Sequence, residues 1–278
     1  MSTRQMKRRI KKIAKTALRF IAQPKITEGQ LVEHFLELGL ASGDSVLVHS
    51  SLSSAGRIEH GAEGVIESLM KVVGPTGTLL FPTHNWREVN RGLRKFDVRN
   101  SPSLVGAISE CFRLRDDVIR SEHPSHSVAA WGKDAARFTA NHLACDSPCG
   151  AKSPYHKLIM GSGKILLFGV GLERNTCFHC VESLANCSYL SKAESDRFEI
   201  IDSSGESRFV DIRCHATAIP SRFSELEQDL EAVACVRSRP IGKSRSTMID
   251  AKAFHDWLLP KLLANPHFLL KPRGNFDA

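Results

Sequence analysis

Residues 169–182, GVGLERNTCFHCVE, set His179 and Glu182 three apart near the start of a predicted helix. The apolar run KILLFGVG (164–171) reads as a strand ending in glycines, and Asn175 or Thr176 suits the cap of the helix that follows. His179 then falls in the opening turn. Backbone N–H groups and the helix dipole there favour an uncharged imidazole. Such a ring accepts a proton near neutral pH and suits a general base. Glu182 shares its helical face and is placed to orient it. The same pair also reads as a capping histidine beside an unrelated glutamate, and the rest of the chain decides between the two.

Eight cysteines offer other chemistry: Cys111, Cys145, Cys149, Cys177, Cys180, Cys187, Cys214 and Cys235. Cys177 and Cys180 flank His179, but one predicted helix holds them awkwardly for in-line activation, so no nucleophilic thiol is expected. Cys145-x3-Cys149 with Cys177-x2-Cys180 resembles a four-thiolate zinc spacing. The second pair lies on a helix rather than a knuckle, and no metal is expected. Residues 1–25 lack the uninterrupted apolar core of a secretory signal, so free thiols in a reducing cytoplasm are the expectation.

The elements that must position these residues alternate. ITEGQLVEHFLELGL (26–40) is an amphipathic helix with a capping-box spacing, Thr27 to Gln30. Strands follow at 45–52, 77–84, 118–124, 127–132 and 164–171, with helices predicted at 61–74, 103–114, 133–144, 223–236 and 250–264. RFEIID and SRFVDIR form a hairpin around Ser203-Ser204-Gly205. The long polar stretch 85–103 reads as a functional loop. This pattern predicts an α/β/α sandwich around a central mixed sheet, with an antiparallel portion late in the chain.

Residues 1–25 hold nine of the 38 Lys and Arg and no acid; the remaining 29 face 30 acids, so the body is nearly neutral. A nucleic-acid enzyme would show a basic stripe on its folded domain, and no nucleic-acid partner is expected. Ile10, Ile13, Ala14, Ala17, Leu18 and Ile21 give the basic segment an apolar face. That face suits an anionic membrane surface, its own domain or a second subunit in a homodimer. Residues 26–278 are expected to form a single domain. No stretch is long and apolar enough to cross a bilayer.

Four ordered blocks then carry a resemblance: VHSSLSSAG (48–56), GPTGTLLFPTHNW (74–86), RSEHPSHSVAAWG (120–132) and KILLFGVGLERNTCFHCVE (164–182). With SPYHKL (153–158), they resemble the aminoglycoside 3-N-acetyltransferase family over roughly residues 30–185, more faintly over 240–258. The resemblance implies an α/β/α fold and transfer of acetyl from acetyl-CoA to an amino group on a sugar-like ring. His179 matches the family's catalytic histidine and Glu182 the glutamate beyond it. The coenzyme side is implied for His49, Ser50, Ser51, Leu52, Arg120, His123 and Ser127, with Arg120 suited to phosphates. An acceptor-side acid is implied after the third strand, where Glu88 and Asp97 are the candidates. The small-molecule acceptor would be an aminoglycoside or amino sugar.

The chain departs from that pattern after residue 190. Drug-modifying relatives tend to place further acids there, whereas this chain has RCHATAIP (213–220). A polycation wants several carboxylates around it. A nucleotide-linked or polysaccharide-precursor amino sugar, acetylated by a cytoplasmic enzyme at the inner membrane, is the alternative acceptor. A non-catalytic membrane- or nucleic-acid-associated protein using its basic arm is the alternative of a different class.

Overall fold

The computed structural model describes residues 5, 6, 8, 9, 11, 24–145, 147–217 and 219–272. The apolar face expected over Ile10–Ile21 lies outside the described residues. No described helix is long and apolar enough to cross a membrane.

A seven-stranded sheet forms the centre. Three strands are parallel: β1 (Ser45–Ser50), β2 (Thr78–Pro82) and β6 (Lys164–Phe168), with β1 between the other two. On the β2 side the sheet continues antiparallel through β5 (Val128–Gly132) and β4 (Ile119–Arg120). On the β6 side it continues through the hairpin of β10 (Ser244–Asp250) and β9 (Val236–Ile241). The predicted mixed sheet is present, and antiparallel strands stand at both edges rather than only late in the chain.

Period-two alternation along the buried strands builds both layers. Val46, Val48, Leu79, Phe81, Leu166 and Phe168 point to one face. There they meet α1 (Glu28–Glu37), the one-turn α2 (Leu52–Ala55), α3 (Gly61–Val73) and α5 (Ala107–Arg113). Leu47, Leu80, Ile165 and Leu167 point to the other, against α7 (Pro154–Met160), α8 (Cys177–Leu184) and α10 (Ala251–Ala264). The α1 capping box forms as predicted: Thr27 Oγ1 accepts from Gln30 N at 3.2 Å, and Gln30 Oε1 accepts from Thr27 N at 2.9 Å.

The polar stretch after β2 is more ordered than its composition suggests. It contains α4 (Trp86–Asn90) and β3 (Lys95–Asp97). β3 pairs with the predicted hairpin, β7 (Asp196–Ile201) and β8 (Ser207–Ile212), in a second sheet of three strands. The helix predicted over 133–144 is only α6 (Ala135–Thr139) and a short 3-10 turn. The one predicted over 223–236 shortens to α9 (Glu227–Ala232), and Val236 opens a strand instead. β9 is an edge strand, so it tolerates Pro240 and outward Arg237 and Arg239; that composition hides it from hydrophobic periodicity.

β6 ends at Gly169, whose φ of +69° lies where L side chains strain. A Cβ there would stand 3.0 Å from Ser51 O and from Ser244 Oγ. Gly169→Val is expected to destabilise the fold by about 1–3 kcal/mol in urea unfolding. Wild-type stability in that variant would show that the turn accepts a side chain.

Candidate active site

β1 runs to β2 on one side, and the chain returns to lay β6 on the other. The ends of β1 and β6 therefore border the switch point at which open α/β sheets bind ligands. A cleft of about 1400 Å³ opens there. Ser50–Ser54 and Gly169–Thr176 form part of its wall, and His179 lines it.

His179 is the third residue of α8. Asn175 Oδ1 accepts from Cys177 N at 3.0 Å, so Asn175 supplies the side-chain cap and Thr176 does not. His179 N is already bonded to Thr176 O at 3.0 Å, so its own amide is not a free donor to a ligand. The ring is fixed from behind instead. Nδ1–H donates to Glu182 Oε2 at 2.6 Å, and the Glu182 side chain is 0% exposed while that of His179 is 28% exposed. Tyr189 OH donates to the other oxygen, Oε1, at 2.7 Å. Burial and then the neighbouring Glu182 push the Tyr189 phenol up, which keeps it a donor. With Nδ1 engaged, Nε2 is the nitrogen left for a reactant.

The HSSL block arrives at the same cleft. His49, Ser50, Ser51 and Leu52 all line it. His49 Nε2 accepts from Thr176 N at 3.4 Å, and burial pulls this imidazole down to about 3, so it serves as a neutral acceptor pinning the start of α8. Ser51 Oγ is engaged with Ser54 Oγ at 2.8 Å. Ser50 Oγ has no hydrogen-bond partner among the described residues, and neither do Ser244 Oγ and Asn175 Nδ2, which line the same space.

Five expected site residues stand elsewhere. Arg120 is only 7% exposed and does not reach the cleft, which corrects the expectation that it meets phosphates. It donates to Thr83 O at 2.8 Å and Ser101 O at 2.5 Å and stacks over Phe96 at 4.8 Å, tying the small sheet to the edge of the large one. Ser127 Oγ donates to Thr83 O at 2.8 Å, behind the wall. His123 is buried against His142, with ring centroids 4.8 Å apart, and also lies off the cleft. Glu88 pairs with Arg91 at 2.8 Å, and Asp97 accepts from Arg99 N and Asn100 N in a tight turn. Neither lines the cleft; the glutamates that do are Glu173 and Glu227. Cys177 and Cys180 are core residues, and burial pushes both thiols up. The four-thiolate group does not assemble among the described residues.

Tyr189, behind His179 and not on the cleft wall, carried no signal in sequence, whereas His84, His126 and His215 stood in named segments without a role. Tyr189 follows Glu182 by seven positions, but α8 ends at Leu184, so no helical spacing links them. His84, His126 and His215 come from three separate loops. With His179 they form a file of imidazoles whose successive centroids lie 5.2, 4.8 and 4.6 Å apart, in the order His179, His215, His126, His84.

An oriented histidine beside a long cleft at parallel strand ends suits an α/β group-transfer enzyme. Residues 47–262 match the family model of aminoglycoside 3-N-acetyltransferase, and the chain belongs to that family of N-acetyltransferases. It is 29% identical over 270 residues to aminoglycoside N(3)-acetyltransferase VII of Streptomyces paromomycinus, covering 85% of this chain and 93% of that protein. It is 32% identical over 176 residues to the SPbeta prophage-derived aminoglycoside N(3')-acetyltransferase-like protein YokD of Bacillus subtilis (strain 168). That match covers 56% of this chain and 64% of the relative, just under two thirds of its length. The solved structure of AAC-IIIb in a binary complex with CoASH superposes with a TM-score of 0.75 at 26% identity, over 90% of this chain and 100% of that one.

The buried histidines set a pH dependence. Burial holds His49 down to about 3 and His142 to about 4, from an ordinary value of 6.5. The folded state therefore binds fewer protons than the unfolded one below about pH 6.5. Their contribution is fully present above that pH and is lost as pH falls toward the folded values. Between pH 6.5 and 5 the two together should cost on the order of 3 kcal/mol, read by urea unfolding. A flat profile over that range would contradict their neutral burial.

Proposed function

We propose that this chain moves an acetyl group from acetyl-CoA to an amino group of an aminoglycoside or amino sugar, with His179 as the general base. The observation that carries the reading is the clamp on His179: a buried Glu182 holds Nδ1–H and leaves Nε2 as the proton acceptor beside the cleft. An ammonium has no lone pair with which to attack, so the acceptor must first lose a proton, and His179 Nε2 takes it. The amine nitrogen then bonds the acetyl carbon and gives up a second proton as the carbon–sulfur bond breaks. One of the two protons goes to the departing thiolate and the other to solvent. Acetyl-CoA supplies the activated acyl group as its thioester.

The cleft fits two reactants. At about 1400 Å³ it exceeds the roughly 300–1,000 Å³ of a site for one small ligand. The unpartnered Ser50 Oγ and Ser244 Oγ are donors in search of acceptors at its wall. Ser50 is suited to the negative charge that develops on the acyl oxygen. No thiol joins the step, consistent with core burial of Cys177 and Cys180.

His179→Ala should lower kcat by about 10²–10⁴-fold while acetyl-CoA still raises the melting temperature. Near wild-type turnover in that variant would remove His179 from its role.

A second reading of the acceptor rests on charge. Arg57, Arg87, Arg174 and Arg245 line the cleft against Glu173 and Glu227. Glu173 lies 3.8 Å from Arg174 and Glu227 lies 3.3 Å from Arg245, so both acids already have cationic partners. This balance favours an acceptor of low positive charge or one bearing phosphate, such as a nucleotide-linked amino sugar. Made in the cytoplasm, such a substrate would suit an enzyme whose segment 1–25 touches anionic lipid at the inner membrane. In a thiol-release assay, kcat/KM for a nucleotide-linked amino sugar should exceed that for a polycationic aminoglycoside by about tenfold or more. The reverse order would return the acceptor to the aminoglycosides.

A further inference from the structure

We propose that His126, Cys149 and His215 form a zinc site in the inner wall of the cleft. The inference rests on these side chains and not on the acceptor or the proton-transfer role of His179. The ligand atoms of the three residues lie within 4.8 Å of one another, and all three residues are buried. They form the only such group of three among the described residues. Two imidazoles and a thiolate are borderline-soft donors that suit zinc and disfavour magnesium or calcium. Tetrahedral zinc needs its donors about 3.3–3.6 Å apart, a closure that small side-chain rotations supply.

The surroundings are arranged as a ligand shell requires. His126 Nδ1 is bonded to Ser125 Oγ at 2.9 Å, and His215 Nε2 to Ser147 Oγ at 3.1 Å. Each ring thus has one nitrogen fixed by a hydroxyl and the other left over, the way metal-ligating histidines are held. Cys149 sits between anchored neighbours: Ser147 bonds His215, and Pro148 O accepts from His142 Nε2–H at 2.8 Å. The Cys149 thiol itself has no hydrogen-bond partner among the described residues. His126 and His215 line the cleft and Cys149 does not. The thiolate therefore stands behind the two imidazoles, and the fourth coordination position faces the cleft, open to water or another exchangeable ligand. Binding is Zn²⁺ plus the Cys149 thiol giving a zinc–thiolate bond and one proton released to solvent. The sequence expectation of no metal rested on cysteine spacing alone, and a site drawn from three distant segments leaves no such spacing.

A purified metal-stripped full chain titrated with Co²⁺ tests this, with zinc content of the untreated protein measured by mass spectrometry. About one equivalent of zinc is expected, together with a cobalt–thiolate charge-transfer band that saturates at about one equivalent. Cys149→Ser should abolish the band, whereas Cys111→Ala, at a half-buried thiol remote from the group, should keep it. Ser147→Ala, which keeps every ligand, should weaken Co²⁺ affinity about 10–100-fold and covers the case in which Cys149→Ser does not fold. Failure of the wild-type chain to give a thiolate band, or a band unchanged in both Cys149→Ser and Ser147→Ala, would overturn the site. These readouts report binding alone, so they stand apart from any test of turnover.

Discussion

The buried Glu182 carboxyl group is the constraint around which the site is organised. A carboxyl group withdrawn from water costs several kcal/mol unless its oxygens find donors. Here each oxygen has one: His179 Nδ1–H at 2.6 Å and Tyr189 OH at 2.7 Å. The same bonds that satisfy the acid also fix the ring of His179 and leave one nitrogen for chemistry. Positioning and satisfaction are one interaction, so neither can be loosened alone. The arrangement follows from the fold: α8 supplies histidine and acid on one face, and the turn after the helix brings back the phenol.

Behind that first contact, the inner wall is built from neutral imidazoles and hydroxyls. Ser121 Oγ meets His142 Nδ1 at 2.8 Å, and Tyr155 OH meets His84 Nε2 at 2.6 Å. Because His142 Nε2–H donates to Pro148 O, its Nδ1 must accept from Ser121, and the tautomer is fixed. The first pair ties the end of β4 to the 3-10 turn after α6, and the second ties the loop after β2 to α7. The loops therefore hold their shape without regular secondary structure, and a deep cleft stays open where the sheet changes direction.

The parallel core was legible because its signals are local. Strands β1, β2 and β6, helices α1 and α3 and the meeting of HSSL with His179 follow from apolar runs, capping residues and four ordered motifs. The edge hairpin of β9 and β10 was not, since an edge strand carries outward charge and even a proline without loss of pairing. Tyr189 and His215 escaped for another reason: Tyr189 meets Glu182 from beyond the end of the helix and His215 meets Ser147 from a distant segment, and no periodicity records either contact. The helices over 133–144 and 223–236 were overextended because polar turns and short 3-10 segments share composition with helix ends.

Arg120 shows why charge in a motif is a weak guide to charge in a site. It lies in a block that resembles the family's coenzyme side, and a guanidinium is an obvious partner for phosphate. Yet its three nitrogens make five hydrogen bonds, to Thr83, Val98, Ser101 and Ser127, and its face rests on Phe96. A planar fork can satisfy several carbonyls at once, which suits it equally to cementing two sheets. In this chain Arg120 and Ser127 of the block have structural partners, while Arg57, Arg87, Arg174 and Arg245 line the cleft itself. Those four come from four separate segments and belong to none of the carboxylate patterns that a polycation needs. The oriented histidine thus comes from one of the four ordered blocks, whereas of the four arginines on the cleft wall only Arg174 lies in one.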